Sequence, residues 1–188
     1  MIKYIIGHRG VIYKIRSGLK AYLVLLFNKS SISIKFPVTL GYCSKLIIKD
    51  QGKIKVGKKS MIYDYVEIQS RNKIKIGNHF SINNFSRIVA LNNIEIGDNV
   101  TIAQFVTILD HDHDFKFVNH SMILEGYKTK PISIGNNVWI ADKVTILKGV
   151  NIGNNVIIGA NSLVNKDIPD NSIAAGNPCS VIKFLKNE

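Results

Sequence analysis

Residues Ile134 to Val164 read IGNNVWIADKVTILKGVNIGNNVIIGANSLV, and every sixth position is aliphatic: Ile134, Ile140, Ile146, Ile152, Ile158 and Val164. The residue that follows is Gly or Ala at Gly135, Ala141, Gly153 and Gly159, and the fourth residue on is small or β-branched at Val144, Val156 and Ser162. A six-residue period fits neither a 3.6-residue helix nor the two-residue alternation of a hairpin meander. It suits a coil of three short strands, with one hexapeptide on each flat face. The aliphatic side chain points inward, its small neighbour lets the chain turn, and β-branched residues stack well on the pleated faces.

The same register extends towards the N-terminus through Val56, Ile62 and Ile68, then Ile76, Ile82 and Ile88, then Ile96, Ile102 and Ile108. Each coil of such a solenoid buries its aliphatic stack only against the next coil, so many repeats and capped ends are required. The register slips twice by two residues, around Asn72-Lys73 and Asn92-Asn93. It then breaks: Ile96 and Ile134 are 38 residues apart, twenty more than one eighteen-residue coil. Residues ~114–133 are therefore expected to leave the coil as one protruding loop, longer than an ordinary connection.

The expected organisation is an N-terminal cap over residues 1–50, an all-β solenoid over 51–183 and a short tail over 184–188. Within the cap, Ile12, Ile15, Leu19, Leu23 and Leu26 recur at helical spacing, with Lys14, Arg16 and Lys20 between them. This predicts an amphipathic helix. One reading makes it a cap that hides the open edge of the first coil, and the other a basic helix resting on an anionic membrane surface. Asp167 to Pro178 reads as a Pro/Gly-punctuated turn, with Val181 to Leu185 a final short helix or strand.

Composition bounds the function. Of 188 residues, 46% are apolar, enough for a packed core, and a net charge of +12 points to anionic partners. Cys43 and Cys179 lie far apart and suggest a reducing compartment rather than a disulfide framework. The start MIKYIIGHRG is interrupted by Lys3, His8 and Arg9 and shows no leader pattern. The apolar run Ala21 to Phe27 is far short of the ~20 residues of a membrane span. A cytoplasmic protein is expected, with His8 on its surface.

Chemistry concentrates in Thr107 to Phe115, TILDHDHDF, where two of the five histidines sit beside three carboxylates as the regular pattern stops. Histidine titrates near neutrality and is the natural general base for deprotonating a hydroxyl. His111 and His113 are the candidates, and Asp110, Asp112 or Asp114 would orient the ring and stabilise its cation.

The run Pro131 to Lys183, PISIGNNVWIADKVTILKGVNIGNNVIIGANSLVNKDIPDNSIAAGNPCSVIK, resembles the C-terminal coils of hexapeptide-repeat O-acetyltransferases, such as the galactoside and maltose enzymes and those that acetylate surface polysaccharides. The resemblance implies a left-handed parallel β-helix, a homotrimer with sites between neighbouring prisms, acetyl-CoA as donor, a saccharide acceptor and no metal. Counted from Ile108, the family's catalytic histidine aligns best with His113, with His111 the alternative. The resemblance further places Asn83 and Asp112 at the acceptor and Trp139 near the thiol arm. It puts backbone amides around Ala141 and Ala160 on the pantetheine and Asn165, Lys166 and Lys183 on the nucleotide phosphates. Asp142 and Ser180 depart from the family pattern, replacing a small and a basic residue.

Two other classes are weighed. A zinc-dependent hydratase of the γ-carbonic-anhydrase type shares this fold and would draw ligands from His79, His111 or His113, and His120, but the spacing does not match. A nucleic-acid-binding module is suggested by charge alone. No nucleic-acid motif accompanies it, and the lysines scatter over solvated coil faces.

Overall fold

The hexapeptide period becomes strands of two to four residues with the repeat's aliphatic positions buried, except in Lys45–Ile48, where they are half-buried. A computed structural model describes residues 9–28 and 30–186, with side chains described from Ile15 onward. The surface position expected of His8 lies outside the described residues. Parallel strands stack into three sheets, which form the faces of a parallel β-solenoid of about seven turns. The first face holds Ile32–Ile34, Lys53–Val56, Lys73–Ile76, Asn93–Ile96, Ile132–Ile134 and Asn151–Ile152. The second begins Val38–Leu40, Ser60–Ile62, Ser81–Ile82, Thr101–Ile102, Val138–Ile140 and Val156–Ile158. The third holds Lys45–Ile48, Glu67–Ser70, Arg87–Ala90, Thr107–Leu109, Thr145–Ile146 and Leu163–Val164.

Register keeps like on like. Ile32, Ile54, Ile74, Ile94 and Ile132 are successive partners on the first face, all essentially buried. The corners explain the small residues. A Cβ on Gly97 would lie 2.7 Å from the Gly135 carbonyl oxygen of the next coil, closer than real Cβ contacts come. The Asn and Asp after these glycines form a ladder of their own. The backbone N–H groups of Asn78, Asp98, Asn136 and Asn154 donate to the side chains of Asp98, Asn136, Asn154 and Asp170 at 2.7–2.8 Å. Asn99, Asn137, Asn155 and Asn171 then take positive φ, a conformation asparagine tolerates better than most residues.

The solenoid starts earlier than expected. Its first coil is Ile32 to Ile48, inside the segment assigned to the cap, and pairs along its length with the second. The period was there, in Ile34, Leu40 and Leu46, but it is broken by a 22-residue coil and by leucines in place of isoleucine. The cap is therefore the helix α1, Arg9–Phe27, alone. At the other end the chain finishes as a strand: Cys179–Phe184 runs antiparallel to Ser172–Gly176 and extends the second face. The expected turn and tail are thus partly sheet.

The helix does not present the expected face. Ile15, Leu19, Leu23 and Leu26 point away from the solenoid, while Ser17 and Ala21 are buried and Val24 and Leu25 pack against the core. Small residues permit close approach to the flat end of a coil. Lys20 then supplies the polar anchor: its ammonium donates to the carbonyls of Gly41, Tyr42 and Ser44 at 2.6–2.9 Å. Burial pushes the Lys20 ammonium below the usual lysine range, against the opposing pull of Cys43 and Asp64.

The protruding segment is a β-hairpin rather than a loop. His111–Val118 pairs antiparallel with Ser121–Thr129, and Asn119 and His120 at the tip both have positive φ, as a two-residue primed turn requires. The excursion begins at the third face, three residues before the expected boundary, because His111 already pairs with Thr129.

Candidate active site

The hairpin is pinned at its foot by Asp110, whose side chain is fully buried. Its two carboxylate oxygens accept the backbone N–H groups of Leu91 and Asn92, each at 2.8 Å, from the coil before. The same carboxylate lies 3.2 Å from His111 Nδ1, and the Asp110 carbonyl accepts the Lys130 N–H at 2.9 Å where the chain returns. One residue thus ties the departure of the hairpin and the preceding coil together through its side chain, and the hairpin's return through its backbone carbonyl.

His111 and His113 are two apart on an extended strand and so project to the same side. Tyr127 on the partner strand touches both: its ring lies 5.5 Å from His111, edge-on, and 4.7 Å from His113, tilted. The two rings differ in accessibility. The His111 side chain is 15% exposed with Nδ1 directed at Asp110, whereas His113 is exposed and has no hydrogen-bond partner among the described residues. Asp112 is paired with Lys148, which ties the hairpin to the following coil. Asp114 pairs with Lys128 at 2.6 Å, and that ammonium, with the Phe115 N–H, holds its carboxyl below the usual range. Neither Lys148 nor Tyr127 was singled out from the sequence; both lie outside the histidine cluster in the chain and join it through the fold.

The remaining expected residues do not gather here. Asn165 and Lys166 follow the third face two coils further along, on the same corner as the hairpin foot. Asn83, Ala141 and Ala160 lie on the corner between the second and third faces. Trp139 is half-exposed on the second face, where it lines an open depression of about 360 Å³ with Asn99, Thr101, Asn137 and Ile157. Lys183 is exposed on the terminal strand. Two corners with the third face between them therefore carry most of the expected residues, while Trp139 and Lys183 lie on the second face.

Three details alter individual expectations. The Ala141 N–H donates to the Ile158 carbonyl at 3.0 Å within the ladder, so it is not free for a ligand. The Ala160 N–H meets no acceptor among the described residues. Asp142, out of pattern in the sequence, accepts the Gln104 N–H at 2.9 Å and so serves the corner itself. Beside Asn83, Tyr65, Phe85 and Phe105 form an exposed ladder with ring centroids 5.0 and 5.2 Å apart. Their twenty-residue spacing is a signal the sequence reading passed over.

His79 sits on the opposite corner, between the first and second faces, and His120 at the hairpin tip. The three histidines of the zinc alternative are thus spread over the chain. Among the described residues no cluster of three metal-ligating side chains occurs.

A three-faced parallel solenoid of hexapeptide coils, interrupted by a hairpin with two histidines at its foot, defines the class of fold: a hexapeptide-repeat solenoid. Residues 131–166 match the family described as bacterial transferase hexapeptide (six repeats). The chain is 58% identical over 57 residues to the galactoside O-acetyltransferase of Escherichia coli (strain K12), a stretch covering 30% of this chain and 28% of that one. Such matches span about a third or less of the curated relatives' length. Over the whole fold, the maltose O-acetyltransferase from Clostridium difficile 630 superposes with a TM-score of 0.58 at 27% identity, covering 98% of this chain and 92% of that one. A galactoside acetyltransferase in complex with coenzyme A superposes with a TM-score of 0.55 at 27% identity, covering 95% and 80%. The resemblance to hexapeptide-repeat acetyltransferases read from the sequence is borne out.

Proposed function

We propose that the protein is an acetyl-CoA-dependent O-acetyltransferase acting on a saccharide hydroxyl, with a surface-polysaccharide precursor as the favoured acceptor. The observation that carries this reading is the accessible histidine at the foot of the one hairpin that interrupts an acetyltransferase-like solenoid. His113 is the general base. A base must be reached by the acceptor, and His113 is exposed with its ring nitrogens open, whereas His111 is largely covered and directed at Asp110. His111 then serves as a positioning residue.

In this mechanism the His113 imidazole takes the proton of the sugar hydroxyl as its oxygen attacks the thioester carbonyl. The tetrahedral intermediate carries an oxyanion that a backbone N–H stabilises, and the Ala160 amide is the available donor of the expected pair. Collapse breaks the carbon–sulfur bond, and the imidazolium returns its proton to the leaving thiolate. Atoms and charge balance without a covalent enzyme intermediate. Asn83 and Asp112 contact the acceptor, Trp139 lies along the thiol arm, and Asn165, Lys166 and Lys183 meet the phosphates.

Most of these residues occupy two corners that one prism holds apart, so we infer a homotrimer in which one copy's hairpin corner faces the neighbour's Asn83 corner. The cytoplasm, where acetyl-CoA and sugar precursors meet, is the expected compartment. Thiol release from acetyl-CoA, followed across free sugars, nucleotide sugars and lipid-linked oligosaccharides, tests the reading. Turnover with a saccharide is expected; no turnover together with no calorimetric binding of coenzyme A would overturn it.

A further inference from the structure

Helix α1 is apolar on two sides. Ser17 and Ala21 lie against the first coil, and the opposite side carries Ile15, Leu19, Tyr22, Leu23, Leu26 and Phe27, exposed by 43–83%. These follow the spacing of one helical stripe, so they form a continuous ridge along a helix about 28 Å long. Burial of the small-residue side has already satisfied the solenoid's need for a cap. The ridge is therefore surplus to folding.

Its charge surroundings indicate what it meets. Arg9, Lys14, Arg16 and Lys20 are the only charged residues in the helix sequence, which has no Asp or Glu. Lys20 is turned to the solenoid, while Arg16 is exposed beside the ridge, 5.2 Å over the Tyr42 ring. The whole chain carries +12. No helix is long and apolar enough to cross a membrane among the described residues. An outward apolar ridge, cationic neighbours without anionic ones and insufficient apolar length for a span are the properties of a helix that lies in a bilayer interface. The placement suits this too: the helix covers the blunt end of the stack, so a flat surface can approach it without meeting the coils.

We propose that the outward ridge of α1 docks the protein on an anionic lipid bilayer, with leucine and aromatic side chains in the acyl boundary and the exposed Arg16 at the headgroups. This holds whether or not the proposed acetyl transfer is correct, because it uses none of the residues assigned to that site.

Co-sedimentation of the full chain with vesicles tests it, comparing phosphatidylcholine alone with phosphatidylcholine containing about a third phosphatidylglycerol. Binding is expected only to the anionic vesicles and should weaken as salt rises. The double variant Leu19→Gln/Leu26→Gln should lower the partition coefficient on the order of tenfold or more, with an unchanged melting curve and unchanged coenzyme A binding. Phe27→Gln, at an 83% exposed position, provides a second variant should the first misfold. Three results would each overturn the proposal. They are no binding to anionic vesicles, binding that the ridge variants leave intact, and a smaller hydrodynamic size in the ridge variants, which would assign the ridge to a second copy of the chain.

Discussion

Removing the carboxylate of Asp110 gives the sharpest test of how the hairpin is held. In Asp110→Ala the backbone N–H groups of Leu91 and Asn92 lose acceptors at 2.8 Å, and His111 loses its partner at 3.2 Å. A buried N–H left without a partner costs about 1–3 kcal/mol, and two such groups set an upper range of about 2–6 kcal/mol. Leu91 and Asn92 are only half-buried, so water reaches part of the vacated site and the lower end applies. We expect a loss of about 2–3 kcal/mol in urea unfolding. Asp110→Asn keeps one acceptor oxygen but turns an amide NH₂ towards the other donor, so about half that loss is expected. Because the same side chain roots the hairpin, the alanine variant should also be cut by protease within residues 111–129 sooner than wild type. Turnover should fall through kcat, with coenzyme A affinity retained, since the phosphate-binding candidates lie two coils further along the same corner or on the terminal strand. An Asp110→Ala protein with a wild-type urea midpoint and wild-type proteolysis would refute the pin.

Three further outcomes follow from the same geometry. His113→Ala should lower kcat by ~10²–10⁴ with coenzyme A binding unchanged, and His111→Ala should cost less; an active His113→Ala enzyme would move the base to His111. Lys166→Ala and Lys183→Ala should each weaken coenzyme A by about 1–2 kcal/mol in calorimetry, with kcat restored at saturating donor; unchanged affinity in both would place the phosphates elsewhere. The Asn78 backbone N–H at 2.7 Å, then the Asn78 side chain and nearby cations, hold the Asp98 carboxyl below the usual range. Since the folded value lies below the unfolded one, its contribution is complete above the ordinary carboxylate pKa of ~3.9 and is lost as pH falls through the lowered folded value. Asp98→Asn, which copies the residue at Asn136 of the next coil, should therefore flatten the decline of the urea midpoint between about pH 5 and pH 2; an unchanged decline would refute the assignment.

A solenoid is close to one-dimensional, because each coil packs on its neighbour at a nearly constant sequence offset. That is why the six-residue period alone determined the three faces, the stacked isoleucines, the glycine corners and, to within three residues, where the chain leaves the coil. It also located TILDHDHDF at that exit, since a break in a strict repeat is visible without any structure. The first coil escaped notice only because its length and its leucines blur the period.

Only the tertiary structure decided what depends on groups distant in sequence or on segments outside the repeat. Helical periodicity named the large apolar stripe of α1 but could not say that the small face of Ser17 and Ala21 would be chosen, because close approach and the Lys20 anchor belong to the partner surface. Alternation along an extended strand left three aspartates equivalent; burial made Asp110 the pin, while Lys148 and Lys128 took Asp112 and Asp114. The division of the expected site residues between two corners and the second face is likewise a property of the closed prism. A repeat specifies how a coil turns, but which side chains meet across a corner is set by the stacking of whole coils.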